Sequence, residues 1–413
     1  MATDARKVRE LSEKMKACME RFKTREDYVS KDENNQEKGR VRFFDLRGIT
    51  EDKFSESEKE SITEAMQVLR ERKQRGEPMP RVIKITPQNM ERFLKQSQNQ
   101  YRVIENMPTK KLNNGESIPL IGLGTWKSKP GQIKDATLHA VRAGYRHIDC
   151  AEYYANEHEI GQALQIVFRD GVVKREDLFL TSKLWNNHHS KESVRPAVEK
   201  ILRDLKVQYL DLLLIHWPVV TGNVGPTLQP TIRETWQAME ELVSEGLVRS
   251  IGVSNFSSKK LDGILTYAKV MPAVLQVEVH PYWRQDGLLK YCQDKGIHMT
   301  AYSPLGSPDS STMFRRTGPK LMDDPTLISI AAKLNRSPAQ CLIRWALQHG
   351  TSLLPKSVNQ GRIQANLDVL NWELPEQDYQ ALCSLGKQER MVGCNAFLHP
   401  KGPYKTSKDF WDE

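Results

Sequence analysis

Beyond about residue 108 the chain alternates between short apolar runs and longer amphipathic stretches. Eight of the runs read as strands: Leu120–Gly122, His147–Asp149, Leu178–Thr181, Leu210–Ile215, Ile251–Val253, Leu275–Val277, His298–Ala301 and Ser352–Leu354. The stretches between them carry helical periodicity, as from Glu192 to Leu205. Strand and helix alternating eight times over predict a (β/α)8 TIM barrel. Ahead of the first strand, KKLNNGESIPLIG sets Asn114-Gly115 between two strand-like pieces, a hairpin signal. The spacer from Ser303 to Leu327 is longer and polar, with Gly306, Pro308, Gly318 and Pro319. On the strand-end face, spacers of that kind serve as substrate or cofactor loops.

Residues 1–108 follow a different pattern, charged and rich in Gln and Asn. Val8, Leu11, Met15, Cys18 and Phe22 have the three/four spacing of one helical seam, read as a helix docked on its own protein. Residues 25–39 read as a solvated linker; they lack the central Gly of a calcium loop. A second helix is predicted from Ser57 to Arg75, with Ser55 and Glu58 spaced as a capping box and Gly76 as its stop. A third starts at Thr86, with Pro87 in the first turn and Met90, Phe93 and Leu94 on one face. The runs Val41–Leu46 and Val82–Ile85 can pair as strands. The expected organisation is a mainly helical N-terminal extension, 1–108, with no assigned function, and a barrel with a C-terminal loop, 109–413.

A length of 413 residues fits that division, since one core of about 250–300 residues leaves a second module over. The net charge of +9 is spread along the chain among interleaved acids, the pattern of a solvated surface and not of a nucleic-acid-binding stripe. Six cysteines show no CxxC and no regular spacing, so free thiols in a reducing compartment are expected. No apolar run approaches the roughly 20 residues of a membrane span. The first residues include Asp4, Glu10 and Glu13 and no apolar h-region, so the expected compartment is the cytoplasm.

The candidate chemistry sits at the predicted strand ends. Asp149, Lys183 and His216 lie at or just beyond three of the runs, and Tyr154 follows Asp149 by five residues. A barrel brings its strand C-termini to one face, where residues distant in sequence meet. A Tyr beside a Lys, an Asp and a His has the makings of a general acid. The ammonium is expected to stabilise the phenolate and lower the phenol's pKa, with the carboxylate orienting the Lys. Singly, Asp149 would read as a helix cap and His216 as a core histidine; the four together read as catalytic. No metal is expected: His188-His189 reads as surface histidine and Glu278-Val279-His280 as a strand-end turn, without zinc spacing. Gly122-Leu123-Gly124 is followed by Thr125 and Trp126, so the Rossmann fingerprint fails. Lys356, Ser357 and Arg362 instead follow the last strand, where TIM barrels commonly bind phosphate.

These segments resemble the aldo-keto reductases over about Lys110 to Arg390. The resemblance rests on GLGTWKS at 122–128, GYRHIDCAEYYANEHEIG at 144–161, SKLW at 182–185, YLDLLLIHWP at 209–218, GVSNF at 252–256, AYSPLGSPD at 301–309 and LPKSVNQGRIQAN at 354–366. The text is most similar to the aldose/aldehyde reductase branch, while the C-terminal PYKTSKDFWDE looks more like the plant members. The resemblance implies NADPH-dependent reduction of aldehydes and ketones, with Tyr154 as general acid, Lys183 and Asp149 tuning it, and His216 orienting the carbonyl. It implies a coenzyme site, for NADPH or NADP+, made of Thr125, Trp126, Ser254, Asn255, Gln276, Tyr302, Ser303, Leu305, Lys356, Ser357, Arg362 and Asn366, with Asn359 assisting. Ala365 stands where close relatives carry a Glu at an adenine contact. A substrate wall of Trp126, Trp185 and Trp217 is implied, suited to apolar or aromatic carbonyls, and Glu152 takes a place often held by His or Gln.

The expected partner is a small-molecule carbonyl compound, with no specific nucleic acid and no membrane span. Another reading stays open: potassium-channel β-subunits share this barrel and act as regulatory partners, and residues 1–108 are then the element for partner binding or self-association. A barrel hydrolase ranks behind both, lacking a metal cluster or a nucleophile elbow.

Overall fold

The computed structural model describes residues 107–307, 320–386 and 388–413, together with four short strands nearer the N-terminus. The chain divides into two compact units, Met1–Arg102 and Val103–Glu413. In the first, Phe43–Asp45 pairs in parallel with Val82–Lys84, the two runs that the sequence marks as able to pair. Ser30–Lys31 pairs antiparallel with Glu37–Lys38 inside the stretch read as a linker. The expected helices at 8–22, 57–75 and from 86 lie outside the described residues.

The second unit is built on eight parallel strands: β1 (Leu123–Gly124), β2 (His147–Asp149), β3 (Phe179–Leu184), β4 (Leu210–Ile215), β5 (Val248–Ser254), β6 (Val274–Glu278), β7 (His298–Tyr302) and β8 (Ser352–Leu353). They are hydrogen-bonded in chain order. Parallel bridges Ile121–Leu353 and Gly124–Lys356 join the last strand to the first, so the sheet closes on itself. That closure explains why the first strand falls at Leu123–Gly124 and not at the expected Leu120–Gly122. Ile121 and Gly122 are taken up in the seam, where Gly122 N–H donates to Leu353 O at 2.9 Å. The (β/α)8 fold expected from the alternation is the fold observed.

Helices separate successive strands, and each buries one stripe. The helix Lys191–Leu205 buries Val194, Ala197, Val198, Ile201, Leu202 and Leu205, the three/four spacing that lays one apolar face on a sheet. Where strands crowd most closely, a side chain has no room. A Cβ on Gly252 would stand 2.3 Å from the Val274 carbonyl, so glycine there lets β5 approach β6.

The period of two along each strand sets what fills the barrel. The hairpin of Thr109–Lys111 and Ser117–Pro119 contributes Leu112 and Ile118 to a buried apolar cluster with Phe179, Leu212, Leu214 and Val274. Above this plug comes a polar layer. His147 meets Thr181 Oγ1 at 2.9 Å, and His298 and Thr300 both reach Ser352 Oγ, at 2.9 and 2.8 Å. The same alternation then delivers Asp149, Lys183, Gln276 and Glu278 to the upper layer. Burial holds the middle histidines in the neutral form, with His147 pushed down to about 3 and His298 to about 4.

Candidate active site

Asp149 ends β2, and both of its carboxylate oxygens are engaged. Lys183 Nζ donates to Oδ2 at 2.7 Å, and Gln276 Nε2 donates to Oδ1 at 2.8 Å. Lys183 is wholly buried and places its other contacts on Cys150 O, at 2.8 Å, and on the Tyr154 hydroxyl, at 3.4 Å. Tyr154 closes a single 3-10 turn, Glu152–Tyr154, directly after β2, and that short turn carries the phenol back over the strand end. His216 follows β4; its ring lies edge-on to Tyr154, centroids 5.8 Å apart. The four residues proposed from sequence therefore meet at one end of the barrel.

Their electrostatics differ from the sequence expectation in one respect. Burial, then the negative charge of Asp149, holds the Tyr154 phenol well above its ordinary value instead of below it. Lys183, whose shorter bonds go to Asp149 and Cys150 O, lies 3.4 Å from the phenol oxygen and does not offset that burial. Burial, reinforced by Lys183, pushes His216 well below the ordinary histidine value, so the imidazole is neutral. His216 Nδ1 is buried and has no hydrogen-bond partner among the described residues.

Above these groups opens a cavity of about 1370 Å³. At one end it reaches Asp149, Tyr154 and His216, and at the other Lys356, Arg362 and Asn366. Every residue expected at the coenzyme or substrate positions lines it except Asn359, while Lys183 lies beneath the surface. Asn255 donates to His216 O at 2.9 Å and accepts from the Tyr302 hydroxyl at 2.7 Å, which fixes the Tyr302 ring along the cavity floor. Lys356 Nζ donates to Lys127 O at 3.2 Å. Asn359 caps the helix Gln360–Ala365 by accepting from Arg362 N, and the Arg362 side chain is exposed at the cavity mouth.

The aromatic wall is wider than the sequence suggests. Tyr153 stacks on Trp185 at 3.8 Å between centroids, and Phe397 lies 5.0 Å from Trp217. Neither stands out in the sequence. Tyr153 adjoins the candidate acid Tyr154, which drew the sequence reading, and Phe397 comes from a C-terminal segment without periodicity. Glu152 turns aside from the reacting groups, accepting from Trp185 N at 3.2 Å and pairing with His188 at 2.8 Å. His189 is not a surface residue as expected: it is buried, and both ring nitrogens lack partners among the described residues. His280 is likewise buried, bonded to Glu278. Cys150, Cys292, Cys341, Cys383 and Cys394 are free thiols. Among the described residues, no helix is long and apolar enough to cross a membrane.

Comparison with known proteins agrees with this geometry. The model of the Aldo/keto reductase family matches residues 120–387. The chain is 46% identical over 308 residues to aldo-keto reductase family 4 member C11 of Arabidopsis thaliana, covering 73% of this chain and 96% of that one. It is 48% identical over 294 residues to aldo-keto reductase family 1 member A1 of Gallus gallus, covering 68% and 89%. Among solved structures, a Bombyx mori aldo-keto reductase in complex with NADP superposes with a TM-score of 0.65 at 35% identity, covering 70% of this chain and 96% of that one.

Proposed function

The chain belongs to the aldo/keto reductase family, and from that premise we propose that it reduces aldehydes and ketones to alcohols with NADPH, Tyr154 delivering the proton. The observation that carries this reading is the chain of contacts Gln276–Asp149–Lys183–Tyr154 ending at a cavity shared with a neutral His216.

The residues present suit the coenzyme. At about 1370 Å³ the cavity exceeds the ~300–1,000 Å³ of most small-ligand pockets, which leaves room for a dinucleotide beside a substrate. Lys356, Arg362 and the Ser357 hydroxyl would meet the phosphate that distinguishes NADPH from NADH, with Asn359 and Asn366 beside them. Ser254, Asn255 and Gln276 would hold the carboxamide and Tyr302 would lie against the nicotinamide ring, with Thr125, Trp126, Ser303 and Leu305 along the walls. When bound, the coenzyme supplies the hydride.

The protein's own part is then positioning and proton delivery. A neutral His216 donates through its unburied ring nitrogen to the carbonyl oxygen and so orients it. Tyr154 stays protonated across the working pH range because its pKa is high, so the acid is always loaded. Its proton still goes downhill, since an alkoxide is a stronger base than a phenolate. Lys183 stabilises the phenolate left behind, and Asp149 holds Lys183 in place. Trp126, Trp185 and Trp217, joined by Tyr153 and Phe397, form an apolar wall that favours aromatic and aliphatic carbonyls over sugars.

We assign the whole activity to residues 109–413, since every named residue lies there. The test is NADPH oxidation by the purified full chain against a panel of aldehydes, ketones and aldoses. Consumption fastest with apolar aldehydes is expected. No consumption with any carbonyl compound would overturn the proposal.

A further inference from the structure

Glu278 is a buried carboxylate for which the proposed chemistry has no use. It ends β6, two residues beyond Gln276, so the strand's period of two places both on the inner face. Its side chain is fully enclosed, and both oxygens accept hydrogen bonds from outside the strand. Met391 N–H donates to Oε1 at 2.6 Å, Val392 N–H donates to Oε2 at 2.8 Å, and His280 Nε2 lies 2.8 Å from Oε1. His280 Nδ1 is buried without a partner among the described residues. The ring proton therefore belongs on Nε2, where it has an acceptor.

Met391 and Val392 are themselves wall residues of the cavity, on the same C-terminal segment as Phe397, which also lines it. The segment that carries them has no helix or strand of its own between Glu389 and Cys394, so its backbone donors depend on groups brought from elsewhere. A carboxylate gripping two successive N–H groups fixes that backbone more tightly than apolar packing alone.

The geometry points to Glu278 as a positioning residue that clamps residues 391–392 and thereby sets the width of the substrate wall. This rests on the proposed reductase reading, because that reading assigns Phe397, which the same segment carries, to the substrate wall. Three donors converge on the carboxylate, and an amide cannot receive them all. In Glu278→Gln, one orientation sets the NH2 against Val392 N–H, and the other sets it against Met391 N–H. Either way a buried donor faces a donor and the segment must shift.

The test is steady-state kinetics of Glu278→Gln and Glu278→Asp with propanal and with 2-naphthaldehyde, together with NADPH titration. For Glu278→Gln we expect KM for 2-naphthaldehyde to rise about tenfold or more, while kcat, KM for propanal and NADPH affinity stay within about threefold. Glu278→Asp keeps both acceptor oxygens and should fall between. Unchanged KM for both aldehydes, or an equal fall in kcat for both at constant KM, would overturn the proposal. Amide hydrogen exchange of the unaltered protein gives a second arm that needs no variant to fold and no turnover. Met391 and Val392 should exchange at least a hundredfold more slowly than unprotected amides, and free exchange at both would also overturn it. Absence of any aldehyde reduction by the unaltered protein would count against the reductase reading, and the exchange arm would still judge the clamp.

Discussion

Gln276 donates its side-chain N–H to Asp149 Oδ1 at 2.8 Å, from β6 to β2 across the inside of the barrel. Asp149 spends its other oxygen on Lys183, so one carboxylate ties a proposed coenzyme residue to the proposed acid. Replacing Gln276 by Leu should therefore affect both functions. We expect NADPH affinity to fall about tenfold and kcat to fall as well, about fivefold or more, since each lost bond to a charged group is worth roughly 1.5–3 kcal/mol. Fluorescence titration with NADPH and single-turnover kinetics separate the two. A loss of affinity alone would show that the bond to Asp149 does not reach the chemistry.

Lys183 and Asp149 form an ion pair with almost no solvent contact. Removing one partner of such a pair strands a buried charge, at a cost of about 3–5 kcal/mol. Lys183→Met should lower stability to urea by about that amount and abolish turnover. Adding Asp149→Asn should recover most of the stability and none of the turnover. If the double variant is no more stable than the single one, the pair is not the source of the loss.

The polar layer inside the barrel gives a pH dependence whose sign can be worked out. His298 is pushed down to about 4 from an ordinary value of 6.5, chiefly by burial. Between those values the unfolded chain binds a proton at this position and the folded chain does not. Its contribution is present above about pH 6.5 and is lost as pH falls toward 4, at up to about 1.4 kcal/mol per pH unit. His298→Gln should reduce the slope of stability against pH in that window by about one proton. Parallel curves for the two proteins, measured by urea unfolding at pH 4.5, 5.5 and 6.5, would contradict this.

The barrel was legible because its strands are short apolar runs separated by amphipathic helices. His147–Asp149 and Leu210–Ile215 fall where the sequence puts them. The first strand was displaced because its register is set by the seam with Leu353, a partner more than 200 residues away. The four polar residues were legible for the same reason as the strands, since each closes or follows a run. The direction of the Tyr154 shift was not, because it is set chiefly by how deeply the folded barrel buries the phenol and then by the charge of Asp149. Nor was the grip of Glu278 on Met391 and Val392, since backbone N–H groups leave no mark in a sequence. His189 reads as surface in HHS, yet it is buried, and its carbonyl accepts from Thr235 of the helix Ile232–Ser244 at 2.8 Å, a partner 46 residues on.

In the proposed reading, coenzyme choice rests on the cations after β8. Arg362 is exposed at the cavity mouth and Lys356 reaches back to Lys127 O. Arg362→Ala should weaken NADPH about ten- to hundredfold and NADH by less than threefold, because only NADPH carries the additional phosphate. Dissociation constants for both coenzymes decide it. Equal losses would assign Arg362 to the helix Gln360–Ala365 or to the shared pyrophosphate.

The central claim is that Tyr154 delivers the proton. Tyr154→Phe keeps the ring that packs 6.3 Å from Trp126 and removes only the hydroxyl that Lys183 faces. The measurement is kcat for an aromatic aldehyde at pH 7 beside the NADPH dissociation constant, in the same preparation. We expect kcat to fall by about 10²–10⁴, the range for loss of a general acid, with coenzyme affinity within threefold of the unaltered protein. Turnover within tenfold of the unaltered protein would contradict the assignment.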